Sequence, residues 1–354
     1  VQTYMRVQAA GVPTCVCILL LATLGHASAF VTLCGRTSLA KSYHFAALRL
    51  KGGHLVPQMS SIRMSAVGPL VSCEWLKENL DKVKVLDASW YLSFMERSPG
   101  VKFDAVSEFE KQRIPGAVFF DIDKVCDTTS PHPHMMPTPE FFAECVAKLG
   151  VARDSHVIVY DGKGIFSAPR AWTMFQAFGH SNVQILDGGL PAWIASGLQI
   201  ESCAPPSVPL VEYGIATGPA HILSMAQVEA NILSSEYQLV DARPMARFKG
   251  EAPEPRPIES GHIEGSYCLP FLDVITPDGK MKAESEIKEV VAKAKINLDK
   301  PLAVTCGSGV SACVVRAALA KIGISNVPLY DGAYTEWKVS DQPTFKGLDK
   351  SPYA

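Results

Sequence analysis

Nothing acidic precedes Glu74 in this 354-residue chain, where ordinary composition would place roughly seven Asp or Glu. The same stretch holds six cations: Arg6, Arg36, Lys41, Arg49, Lys51 and Arg63. Without it the chain carries 27 basic against 35 acidic residues, net −8. Such a body has no charge excess for nucleic acid or an acidic membrane surface. The apolar run from Cys15 to Leu24 is about ten residues, too short to cross a bilayer. No Cys or His group has zinc-ligand spacing, and no G-x-x-x-x-G-K-[ST] loop is present to cradle a nucleotide. The cysteines show no disulfide-like spacing. Three of the ten (Cys15, Cys17, Cys34) lie in the leader and an odd seven remain, which points to a reducing interior.

What is present is a repeat. Val83–Ala88 (VKVLDA) matches Tyr237–Ala242 (YQLVDA), Arg113–Ala117 matches His262–Ser266, Val157–Gly162 (VIVYDG) matches Leu302–Gly307 (LAVTCG), and Asp187–Trp193 matches Asp331–Trp337. The order is kept and the offset drifts only from 154 to 144, as loop-length changes would produce. Each copy alternates short apolar strands with helical patterns. The expected fold is α/β: two tandem domains, each a central parallel sheet flanked by helices. We place a presequence at 1–66, the first domain at 67–200, a Pro/Ser-rich surface linker at 201–222 and the second domain at 223–354.

The chemistry centres on Cys306. Leu302–Thr305 reads as a buried strand, and the segment after Gly309 has helical apolar spacing (Val310, Val314, Val315, Leu319, Ile322). Glycines between them let the backbone aim several N–H groups at one spot beside a helix N-terminus, which favours thiolate over thiol. A cysteine phosphatase needs an arginine six positions on, and that position is Ala312. A disulfide oxidoreductase needs Cys-x-x-Cys, and the next cysteine, Cys313, is seven residues away. What remains is a lone thiolate in a neutral cradle, suited to sulfur that arrives, sits as a persulfide and leaves. The first copy has Asp161 at this position, and a carboxylate cannot accept sulfane sulfur.

The loop Cys306–Ala312 (CGSGVSA) resembles the active-site loop of the rhodanese superfamily, and within it the 3-mercaptopyruvate sulfurtransferase branch, whose pattern is CGSGVTA. Ser311 keeps the hydroxyl of the usual Thr. Thiosulfate-preferring members carry basic residues where Gly307 and Ser308 stand. The resemblance implies that Cys306, in a loop contributed by Gly307, Ser308, Gly309, Val310 and Ser311, takes sulfur from 3-mercaptopyruvate, releases pyruvate, and passes the sulfur to cyanide or to a thiol such as thioredoxin or glutathione. It implies no metal and no organic cofactor. The run DARPMARF followed by PEPR resembles the segment that supplies two substrate arginines, here Arg247 and Arg256, because a guanidinium grips a carboxylate with a planar fork. Arg243 reads as a structural ion pair. FFDID (119–123) and HMMP (134–137) resemble segments whose Asp and His, here Asp123 and His134, support the hydroxyl of Ser308. A purely structural Asp–His pair at the domain interface is the other reading. His262 reads as turn chemistry, Trp193 and Trp337 as core anchors, and Cys268 and Cys313 as buried thiols. Two further activities stay open: a thiosulfate:cyanide sulfurtransferase, and a persulfide carrier that processes no small molecule.

The leader reads as an address. With Met5 as the start, a signal-like segment (5–29) ends at small residues, Ala27-Ser28-Ala29, before Phe30, and a Ser/Thr/Lys/Arg-rich segment (30–66) follows. Together these resemble the bipartite presequence of algae with complex plastids, whose junction reads ASAF. A plastid is the expected destination, a mitochondrion the alternative and secretion a third choice. No membrane association is expected of the mature form.

Overall fold

The structure, a computed structural model, describes residues 68–354 except 203, 206 and 215, together with the backbone of three leader strands, Tyr4–Arg6, Val16–Thr23 and His26–Leu33. Those strands pair antiparallel within a separate unit, residues 1–63. Everything else expected of the presequence lies outside the described residues.

Met64–Ala354 is one compact unit built around two five-stranded sheets, with a small two-stranded hairpin at Glu96–Ser98 and Val101–Lys102. In the first, β1 (Leu70–Val71), β2 (Lys84–Asp87), β3 (Val118–Phe119), β4 (Val157–Tyr160) and β5 (Val183–Leu186) pair in parallel in the order β1-β5-β4-β2-β3. In the second, β6 (Ile222–Leu223), β7 (Gln238–Asp241), β8 (Tyr267–Cys268), β9 (Leu302–Thr305) and β10 (Leu329–Tyr330) repeat that order as β6-β10-β9-β7-β8. The central strands β4 (VIVY) and β9 (LAVT) are buried at every position. A strand covered on both faces needs such a continuous apolar run. Helix starts follow local chemistry: Ser72 and Thr138 accept the N–H of Trp75 and Phe141, and Ser224 forms a capping box with Gln227. Trp193 and Trp337 are fully buried, and each indole N–H donates to a carbonyl, of Gln199 and Pro343.

Two helices leave the loops that matter. α4 (Ala168–Ala177) follows the Asp161 loop and α9 (Ser311–Lys321) follows the Cys306 loop. Nine of ten residues in α4 and eight of eleven in α9 are buried, and the two helices pack on each other. Helices apolar all round are interior helices, so this pair is the core of the domain interface. The interface is pseudo-symmetric: Asp331 accepts the N–H of Met136, and Asp187 accepts that of Met281.

The Pro/Ser-rich part of the linker runs over the surface as expected, its described residues between 201 and 212 all exposed or half-buried, and the chain then turns inward. Tyr213 and Ala216 are buried, and the Tyr213 hydroxyl meets His180 Nδ1 at 3.1 Å and Arg153 Nη1 at 3.2 Å. Its ring meets Phe142 edge to face, which composition alone did not register.

Matched positions carry unmatched electrostatics. Asp241 at the end of β7 is clamped by Arg243 at 2.6 Å. Its counterpart Asp87 has Ser89 in place of that arginine and receives the Ser89 N–H at 2.9 Å. Burial pushes the Asp87 carboxyl up to about 6. The folded state therefore holds a proton that the unfolded chain has released, and stability falls as pH rises from about 4 to about 6. Asp87→Asn removes the buried charge. It should stabilise the protein by on the order of 2 kcal/mol at pH 8, with no gain at pH 3.5, read by thermal melts at both values.

Candidate active site

Cys306 follows β9 directly and is 1% exposed. The four peptide groups after its α-carbon are each held at their carbonyl, those of Gly307 and Gly309 twice, with the Thr335 hydroxyl and the Cys313 thiol (3.2 Å) as the second donors. Tyr334 N–H donates to the Cys306 carbonyl at 2.9 Å, and Thr335 N–H to that of Gly307 at 3.1 Å. His134 Nδ1 donates to the Ser308 carbonyl at 3.1 Å, and Arg170 Nη1 to that of Gly309 at 3.3 Å. In a trans peptide the N–H points opposite to the C=O, so fixing these carbonyls fixes where the loop N–H groups point. Those of Ser308, Ser311 and Ala312 find no acceptor among the described residues. Gly309 has φ +77°, and a Cβ there would lie 2.9 Å from the Asp331 carbonyl and 3.1 Å from Arg170 Nη1. Only glycine fits this turn. Gly307 is not so constrained, since its Cβ would meet only ordinary contacts.

A cleft of about 600 Å³ opens between the domains onto Cys306. Trp90, Phe94 and Phe166 line it from the first domain, and Arg247, Arg256 and Ser308 from the second. Arg247 lies on the short helix α7 (Met245–Phe248). Its Nη1 is 3.6 Å from Glu254 Oε2, and its Nε is buried without an acceptor among the described residues. Arg256 is half-buried; desolvation holds its guanidinium below the ordinary value, partly offset by the charges of Cys306 and Glu254. Arg243 is turned away from the cleft, bonded to Asp241, to Glu254 at 2.8 Å and to the Gly261 carbonyl, with its guanidinium 3.8 Å from the Tyr334 ring. Glu254 joins the two arginines and was missed in the sequence. The available signal was an acid between prolines in a segment otherwise rich in arginine.

Asp123 and His134 meet, with His134 Nε2 2.9 Å from Asp123 Oδ1. His134 is buried, has φ +64°, and takes the edge of Trp90, whose indole N–H also donates to Asp123. Burial works against the Asp123 charge, but the hydrogen bond and charge of His134, with the Trp90 N–H, outweigh it and hold this carboxyl below its usual range. The expected link to the Ser308 hydroxyl is corrected: the imidazole reaches the Ser308 backbone carbonyl instead. The two ring nitrogens thus link Asp123 to the backbone of the Cys306 loop. His262 is also structural, bonded to the carbonyls of Phe248 and Asp349 and stacked on Phe248. Cys268 and Cys313 are buried, and burial pushes both thiols up.

A family model described as a rhodanese-like domain matches residues 72–196 and again 224–340. The chain belongs to the rhodanese family. It is 44% identical over 283 residues to 3-mercaptopyruvate sulfurtransferase of Rattus norvegicus, spanning 77% of this chain and 93% of that protein. It is 39% identical over 315 residues, 82% of each chain, to thiosulfate/3-mercaptopyruvate sulfurtransferase 1, mitochondrial, of Arabidopsis thaliana. The crystal structure of SseA from Escherichia coli, described under 3-mercaptopyruvate sulfotransferases, matches with a TM-score of 0.68 at 38% identity, over 75% of this chain and 99% of that one. The expected tandem α/β rhodanese fold and the expected sulfurtransferase class both stand.

The first rhodanese domain shows what such a loop holds. Asp161 Oδ1 accepts the N–H of Lys163 at 2.8 Å, and Oδ2 accepts those of Phe166, Ser167 and Ala168 at 2.8, 2.9 and 2.9 Å. The same positions in the second domain are Ser308, Ser311, Ala312 and Cys313. A rhodanese loop is thus an anion cradle, filled by its own side chain in one copy and accessible from a cleft in the other. Cys306→Asp should copy the first loop. We expect a protein that accepts no sulfur by mass spectrometry yet melts several degrees above wild type, since each charge-assisted N–H bond contributes on the order of 1–3 kcal/mol.

Proposed function

We propose that this protein moves sulfane sulfur from 3-mercaptopyruvate to a thiol acceptor through a persulfide on Cys306. The observation that carries the reading is a cleft holding both halves of the required chemistry: a cysteine under unpaired N–H groups, and two guanidinium groups with donors to spare. The carboxylate of the donor lies on Arg247 and Arg256. The Cys306 thiolate attacks the donor sulfur, the S–S bond forms and the C–S bond breaks. Pyruvate leaves as its enolate, whose charge the arginines stabilise. The proton of the former substrate thiol passes to the enolate carbon, with the Ser308 hydroxyl as relay, leaving an anionic persulfide in the cradle. An acceptor thiolate such as that of thioredoxin or glutathione, or cyanide, then takes the outer sulfur and restores Cys306. His134 and Asp123 act on the loop backbone at Ser308. Gly307 and Ser308 add no positive charge beside Cys306, which favours a monoanionic donor over thiosulfate.

Arg247→Ala and Arg256→Ala should each lower kcat/KM for mercaptopyruvate about ten- to a hundredfold. Pyruvate release from mercaptopyruvate, set against thiocyanate formation from thiosulfate and cyanide, measures the preference. Unchanged mercaptopyruvate turnover in both variants overturns the donor, faster thiosulfate turnover reassigns it, and neither activity leaves the persulfide carrier.

The address we propose is a complex plastid, on the strength of the acid-free leader and its Ala-Ser-Ala-Phe junction. The Arabidopsis relative's mitochondrial label supports an organelle in the broader sense. Residues 1–66 fused to a fluorescent protein should accumulate in the plastid of a complex-plastid alga; mitochondrial or secreted fluorescence selects an alternative.

A further inference from the structure

We infer that Arg170, on helix α4 of the first domain, is a positioning residue for sulfur transfer, fixing the bend of the Cys306 loop at the Gly309 carbonyl and with it the relative placement of the N–H groups on either side of that bend. This rests on the reading of Cys306 as the sulfur carrier.

Three observations converge. Arg170 is fully buried, and its guanidinium serves acceptors from three segments: Asp331 Oδ1 at 2.6 Å, the Gly309 carbonyl at 3.3 Å, and the His134 carbonyl. It therefore ties the catalytic loop to the segment carrying His134, which pins the neighbouring Ser308 carbonyl. Together the two residues fix the Ser308–Gly309 and Gly309–Val310 peptide units, the bend that joins the Ser308 N–H to those of Ser311 and Ala312 and so sets the two sides of the cradle relative to each other.

The domain interface supplies an internal control. The Asp331–Met136 bond has its counterpart in Asp187–Met281, but the counterpart of Arg170 in α9 is Val315. The buried arginine of α9, Arg316, stands one position on and bonds the Val327 carbonyl and Gln176, not the Asp161 loop. The Asp161 loop has no use for one, because its own carboxylate gathers the N–H groups. A thiolate has a single atom for that task and needs the backbone aimed beforehand.

Burying a guanidinium is costly unless its bonds are made, and Arg170 makes them to Asp331 and to the carbonyls of Gly309 and His134. Arg256 is a second cation acting on Cys306 besides Arg170, and the buried Cys313 thiol also faces it, so charge and aim must be separated.

The test compares Arg170→Lys and Arg170→Met with wild type in the full chain. It reads the pH dependence of Cys306 alkylation by iodoacetamide, located by mass spectrometry, with kcat and KM for mercaptopyruvate. Lys keeps the charge but cannot bridge three acceptors. We expect both variants to raise the alkylation midpoint and lower kcat about tenfold or more while KM stays within about twofold. Full recovery in Arg170→Lys would reduce the residue to its charge and overturn the inference. So would wild-type midpoints and kcat in both variants. Should Arg170→Met fail to fold, Arg170→Lys and Asp331→Asn, which keeps the arginine but loosens its aim, decide the matter by the same readouts. A wild-type Cys306 that is not alkylated at neutral pH and gains no sulfur from the donor would instead sink the functional reading itself.

Discussion

Four carbonyl groups turned away from one sulfur atom are the constraint on which this molecule depends. A cysteine beside a glycine-rich turn is reactive only if the turn presents N–H groups to it, and a peptide unit can rotate to present its oxygen instead. Here that freedom is removed at Cys306, Gly307, Ser308 and Gly309 by donors from Tyr334, Thr335, His134 and Arg170. Two of those donors come from the domain that lacks the thiol. The second domain therefore carries the sulfur chemistry, but its geometry belongs to both.

Division of labour between matched positions runs through the structure. Asp241 has an arginine clamp and Asp87 has none; Arg170 is charged and Val315 is not; Cys306 faces a cleft while Asp161 is enclosed by its own loop. The shared sheet order and the paired Asp–Met bonds keep the scaffolds alike.

Much of this was legible in the sequence because it is local or periodic. The repeat located both sheets, the runs VIVY and LAVT named their central strands, and the strand–glycine–helix pattern singled out Cys306. The motif segments brought Arg247, Arg256, Ser308 and Cys306 to one cleft and joined Asp123 to His134. Less visible were contacts that depend on how two domains face each other. Arg170 lies 139 residues from the carbonyl that it holds, within a helix whose other residues read as core. His134 was matched to the Ser308 side chain, yet the imidazole meets the backbone, a distinction that one-letter patterns do not carry. Glu254 and the buried Tyr213 escaped for the same reason: partners distant in the chain define them.

The carboxylate oxygen of Asp161 stands two bonds from its β-carbon, as the outer sulfur of a cysteine persulfide does. On the proposed mechanism the first domain thus holds in permanent form the charge that the second acquires once per turnover. Halfway through the reaction both loops are occupied alike, and the molecule comes nearest to true twofold balance; discharge of the sulfur is what breaks it.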